Sequence, residues 1–140
     1  MIEAKENFNN TWPFNPNFFS GNGFKQHYVD EGKENNKVIL CLHGEPTWGY
    51  IYRHFIKELS KNFRIVVPDL MGFGKSETPK NKEYSLKTHV ENLENLVNYL
   101  ELKNIYFVGQ DWGGPILGAY TLRNLTNTKG MFLINTIFGY

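Results

Sequence analysis

The stretch Ile105-Tyr-Phe-Val-Gly-Gln-Asp-Trp-Gly-Gly-Pro-Ile-Leu117 constrains the chain more than any other. It reads as a short apolar strand, a sharp turn and the start of a helix. At its centre is Gly109-Gln110-Asp111-Trp112-Gly113, a G-x-D-x-G pattern. The spacing has a steric cause. A side chain held on so tight a turn stands clear of the strand, while the strand and helix backbones pass close on either side. The residues two before and two after must then be small. Gly109 and Gly113 meet that need, and Gly114 adds slack.

This is the spacing of a nucleophile elbow, with aspartate at the position where serine hydrolases carry serine. A carboxylate is ionised at neutral pH and needs no base to activate it. It can displace a leaving group from carbon and form an ester. Hydrolysing that ester then needs a general base for water and donors for the oxyanion. The same five residues also suit a turn or N-cap aspartate at a helix start.

The flanking sequence predicts what surrounds the turn. Residues 1–23 are rich in Asn, Phe and Pro without a clean period, and read as an irregular arm whose aromatics lie on the domain. Phe24 to Asp30 alternates loosely, as a strand does. Val38–Leu42 is a continuous apolar run, the pattern of a parallel strand buried on both faces, and Arg64–Asp69 reads as a second buried strand. Ile51, Phe55, Ile56 and Leu59 fall at helical spacing within 50–61. Leu86, Val90, Leu93, Leu96, Val97 and Leu100 mark an amphipathic helix over 85–102, started by Ser85. A helix from Gly114 to about Asn124 and a strand over Met131–Ile134 follow. Strands alternating with helices predict an α/β fold with a mostly parallel, doubly covered sheet. At 140 residues there is enough chain for one core.

Charge and cysteine content exclude several classes. Fifteen basic and 14 acidic residues are scattered to a net +1, so no basic stripe supports nucleic acid binding. The longest strictly apolar run, Val38–Leu42, is far too short for a membrane span. The start is polar, so a cytoplasmic location is the expectation. The single cysteine, Cys41, forms neither an intrachain disulfide nor a zinc site.

Three motifs in order, His43-Gly-Glu-Pro-Thr-Trp48, Pro68-Asp-Leu-Met-Gly-Phe-Gly-Lys-Ser76 and Val108-Gly-Gln-Asp-Trp-Gly-Gly114, resemble the haloalkane dehalogenases of the α/β-hydrolase fold. The resemblance runs from about Phe24 to Thr136. It implies that Asp111 is the nucleophile and that the indole N–H of Trp112 holds the leaving halide, a donor with no acceptor to repel an anion. It implies that the backbone N–H groups of Glu45 and Trp112 form the oxyanion hole. It casts His43-Gly44 as shaping that loop, and Asp69 with the Gly72–Ser76 turn as a scaffold behind it. His43 reads as a loop-stabilising residue, and His27, His54 and His89 as surface or satisfied ones. Small-molecule substrate and water are the implied partners, with no metal and no cofactor.

The chain departs from the family in one respect. No Asp, Glu or His follows Asp111, although the fold places acid and base there in that order. Asn135 stands where some members carry the acid. The expectation is an N-terminal arm over 1–23 and, over 24–140, the N-terminal half of a hydrolase core ending before the cap and the last strands. Glu45 in place of asparagine means that a second halide donor must come from elsewhere. The alternatives are an epoxide hydrolase, against which Gln110 argues, a β-lactone-processing relative, and a non-catalytic truncated product.

Overall fold

The computed structural model of the chain describes residues 1–137. Six strands, β1 (Asn17–Phe19), β2 (Gln26–Glu31), β3 (Val38–Leu42), β4 (Arg64–Pro68), β5 (Ile105–Gln110) and β6 (Thr128–Ile134), form one sheet in the order β1-β2-β4-β3-β5-β6. The pairs β4–β3, β3–β5 and β5–β6 are parallel, and β1–β2 and β2–β4 are antiparallel. Among the described residues there are three α-helices, α1 (Arg53–Leu59), α2 (Leu86–Tyr99) and α3 (Gly113–Arg123), and two short 3₁₀ turns.

The alternation of strand side chains divides the core in two. Val38, Leu40 and Leu42 of β3 point with Val66, Ile105 and Phe107 to one face, where α2 and α3 bring Val90, Leu93, Leu96, Val97, Ile116 and Leu117. Ile39 and Cys41 point with Ile65, Val67 and Val108 to the other, against Ile56 of α1, Tyr52 and Trp12. Both faces of β3 and β4 are therefore apolar, which is why those strands read as unbroken apolar runs rather than as alternation. Cover on the second face thins toward β6. Tyr106 is 44% exposed and Phe132 62% exposed there.

Several sequence expectations shift in detail. The arm is not irregular throughout, because residues 17–19 pair with β2 as a short edge strand. Its aromatics seat it as expected, with Trp12 buried against Phe14, Trp48 and Tyr50. The buried Lys75 ammonium donates to the carbonyls of Ala4 and Glu6, tying the arm to the glycine-rich turn. The helix expected over 50–61 opens as a 3₁₀ turn at Gly49–Tyr52 and is α-helical only from Arg53. Strand β6 begins at Thr128, three polar or small residues before its apolar run. The start of α2 follows the sequence, with the Ser85 hydroxyl accepting the Thr88 N–H.

Candidate functional site

Asp111 lies in the turn directly after β5 and two residues before α3. Its φ is +51°, a left-handed conformation that a non-glycine residue adopts at a cost of roughly 1–2 kcal/mol. The surroundings hold it there. Its N–H donates to the Asn135 carbonyl at 3.2 Å, and its own carbonyl accepts from Gly114 N–H at 3.0 Å and from the Thr136 hydroxyl at 2.6 Å. Carboxylate Oδ1 accepts the backbone N–H of Glu45 at 2.8 Å. Only Oδ2 has no hydrogen bond among the described residues.

Close approach explains the glycines on either side. A Cβ on Gly44 would overlap the Asp111 side chain and the Trp112 nitrogen, and one on Gly113 would overlap the Leu42 carbonyl. The loop carrying Glu45 thus lies directly on the Asp111-Trp112 turn because neither backbone has a side chain in between. Gly44→Ala is expected to push the loop away, break the Glu45–Asp111 bond and cost about 1–3 kcal/mol of overpacking, read by urea unfolding. Unchanged stability would show that the loop gives way freely.

Two buried groups brace that loop from behind. His43 is fully buried and spends both ring nitrogens. Its Nδ1–H donates to the Gly44 carbonyl at 2.9 Å, and its Nε2 accepts the Leu70 N–H at 2.9 Å. Burial holds its pKa below the ordinary value of 6.5, against an opposing pull from Asp69. An unfolded histidine takes up a proton below pH 6.5 while this one stays neutral, so stability is full above that pH and falls as the pH drops. The expected slope from His43 is at most about 1.4 kcal/mol per pH unit, measurable as urea midpoints from pH 7.5 downward and absent in His43→Gln.

Asp69, also fully buried, gathers three segments. Its carboxylate accepts Gly49 N–H at 2.8 Å and Lys75 N–H at 2.9 Å, and bonds His27 Nδ1 at 2.8 Å. The Ser76 hydroxyl donates to the Asp69 carbonyl and accepts the His27 N–H. His27 is therefore no surface residue but a wholly buried partner of Asp69. Its local sequence carries no sign of this, because Asp69 lies 42 positions away.

In front of the turn lies a cavity of about 50 Å³ lined by Glu45, Leu70, Phe73, Tyr84, Ser85, Leu86, His89, Trp112 and Ile116. It is mostly apolar. Trp112 is 43% exposed, so its indole is not committed to the core. Asp111 is joined to two residues of this lining, Trp112 through the chain and Glu45 through the 2.8 Å bond. The structure thus brings together Asp111, Trp112 and Glu45, the three residues that the resemblance singles out. It adds Thr136 and Asn135 as supports of the turn and His89 as a cavity residue. His54 is exposed and remote from these contacts. No group of three or more histidines, cysteines or carboxylates among the described residues could hold a metal ion. Among the described residues no helix is long and apolar enough to cross a membrane.

A mixed sheet with helices on both faces and a left-handed acidic residue between strand and helix define the class, and the family model for the alpha/beta hydrolase fold matches residues 37–139. The chain belongs to that family. Within it, the sequence is 39% identical over 127 residues to haloalkane dehalogenase 2 of Mycobacterium tuberculosis, covering 91% of this chain and 44% of the relative. The solved haloalkane dehalogenase DpaA from Paraglaciecola agarilytica superimposes with a TM-score of 0.87 at 37% identity, covering 92% of this chain and 46% of that one. A cis-3-alkyl-4-alkyloxetan-2-one decarboxylase of Shewanella oneidensis is 36% identical, covering 89% of this chain and 39% of its own length. The chain spans about two-fifths to just under half the length of these relatives.

Proposed function

We propose that this chain carries the nucleophile and leaving-group half of a haloalkane dehalogenase, residues 24–140 being the N-terminal half of the hydrolase core. The observation that carries the reading is the carboxylate of Asp111, held through Oδ1 by the Glu45 N–H with Oδ2 unbonded. In the first step Oδ2 attacks the halogen-bearing carbon from behind. A C–O bond forms, the carbon–halogen bond breaks, and halide leaves with the bonding pair. The indole N–H of Trp112 donates to that halide, an interaction that grows as charge develops on the halogen.

The product is an alkyl ester of Asp111. In the second step water attacks its carbonyl carbon and negative charge gathers on Oδ1. The N–H of Glu45 is already aimed there, and that of Trp112 is the second donor of this oxyanion hole. This step requires a base to take the proton of water. Within this chain no Asp, Glu or His follows Asp111, so the ester is expected to accumulate. Intact-mass measurement after incubation with 1-bromobutane tests the reading. One butyl group mapped to Asp111 supports it, and an unmodified Asp111 removes it.

The 36% identity to the oxetanone decarboxylase favours a second reading, in which the same carboxylate opens a strained four-membered lactone. A chain that is alkylated by neither bromoalkane nor iodoalkane, yet is modified at Asp111 by an alkyl β-lactone, would select it.

A further inference from the structure

We infer that His89 is a ligand-contacting residue of the Asp111 site, presenting an N–H donor to the acceptor atom held in the cavity beside Trp112. This deepens the reading above and rests on it, the acceptor there being the departing halide. His89 sits in the first turns of α2 and lines the same cavity as Trp112 and Glu45. Its ring packs edge-on to Tyr84 at 6.4 Å. Its Nδ1 is enclosed and has no hydrogen-bond partner.

That enclosed nitrogen decides where the proton sits. A neutral imidazole carries one N–H. Placed on Nδ1, it would be a buried donor with nothing to bond, and orphaned N–H groups are the rarer kind of unpaired polar group. Placed on Nε2, it leaves only a bare lone pair inside. The Nε2 tautomer is therefore favoured, and among the described residues no protein group bonds that nitrogen. Burial, aided by the neighbouring His43, keeps the ring's pKa below the usual histidine value, so the single-proton form prevails at neutral pH.

The other polar groups of the lining are differently placed. The Tyr84 hydroxyl donates to the Pro79 carbonyl, and the Ser85 hydroxyl is held by Thr88. The Glu45 carboxylate is an acceptor and repels an anion. The side-chain donors left for a ligand are the Trp112 indole and His89. The remaining lining, Leu70, Phe73, Leu86 and Ile116, is apolar. Two neutral N–H donors on an apolar wall suit a small, weakly hydrated anion or a polarised halogen, since such donors gain strength where water is excluded.

The test is a bromide titration of the ¹⁵N-labelled 140-residue chain at constant ionic strength, following imidazole nitrogens and indole N–H signals. The expected result is the Nε2–H tautomer for His89 without bromide, and saturable shifts of His89 Nε2 and Trp112 Nε1–H with a common midpoint. His89→Phe, which keeps a ring against Tyr84, is expected to raise the bromide midpoint about tenfold, the loss of one hydrogen bond. His89→Gln, which retains a donor, should recover much of it. A proton on Nδ1, or a Trp112 shift with His89 unmoved, overturns the inference and leaves the halide reading standing. A Trp112 that does not respond overturns both.

Discussion

Incubated with a primary bromoalkane, the 140-residue chain is expected to gain one alkyl group at Asp111 and to keep it. The argument rests on which nucleophiles the chain offers. Asp111 presents a carboxylate whose Oδ2 has no hydrogen bond among the described residues. The only thiol, Cys41, is fully buried in β3, and burial pushes its pKa up, so it offers no thiolate to compete. His43 has both nitrogens engaged and His27 is fully buried. His54 is exposed and can react at a background rate, which peptide mapping separates from the site. Asp111→Asn replaces the carboxylate by a weakly nucleophilic amide. Modification at residue 111 should fall by at least about 1000-fold, as when a covalent nucleophile is removed elsewhere. Equal alkylation in the variant, or label spread over exposed side chains, would sink the proposal. Retention of the label after gel filtration reports on the second step. If the mass instead returns to its starting value, a base within the first 111 residues is at work.

The second large effect concerns stability. Asp69→Ala should cost about 3–5 kcal/mol, the scale seen when one partner of a buried charged network is removed. The substitution strands the N–H groups of Gly49 and Lys75 and the ring of His27, all buried, with no solvent to replace the lost acceptor. Domains have about 5–15 kcal/mol in total, so this is a large share of the stability available. The loss should appear as a large drop in the urea midpoint at unchanged slope. Asp69→Asn keeps one acceptor oxygen and should lose less, because the Gly49 bond can survive. A change below about 1 kcal/mol for Asp69→Ala would mean that water replaces the carboxylate, contrary to its complete burial. The Glu45 loop depends on this anchor through Gly49, so the variant that survives should also alkylate more slowly.

The central strands and the turn were legible because their causes are local. Val38–Leu42 and, after Arg64, Ile65–Pro68 are apolar at every step, as strands covered on both faces must be, and the glycines around Asp111 are short-range steric requirements. The amphipathic period of α2 and its Ser85 cap are local in the same sense. The strand at Asn17–Phe19 was not legible. It is three residues long at a sheet edge, and its only reason to be extended is pairing with β2. The 3₁₀ opening before α1 escaped for a related reason, because Gly49 is held by the distant Asp69 and not by its own neighbours.

The candidate site divides along the same line. Spacing marked Asp111, and the resemblance of the three motifs marked Trp112 and Glu45, since the turn and the loop that caps it are each coded within a few residues. His27 and His89 looked alike in the sequence, two histidines without a motif. Tertiary structure separated them. One meets Asp69 across 42 positions and is spent on holding the fold. The other is carried by α2 to the wall of the cavity with neither ring nitrogen bonded to protein among the described residues, whereas His27 leaves only Nε2 without a partner. Sequence by itself determined the central strands, the long helix and the strained turn, because their backbone preference and burial pattern are short-range. Only the fold decided which polar side chains are satisfied and which are left free, because a hydrogen-bond partner can come from anywhere in the chain.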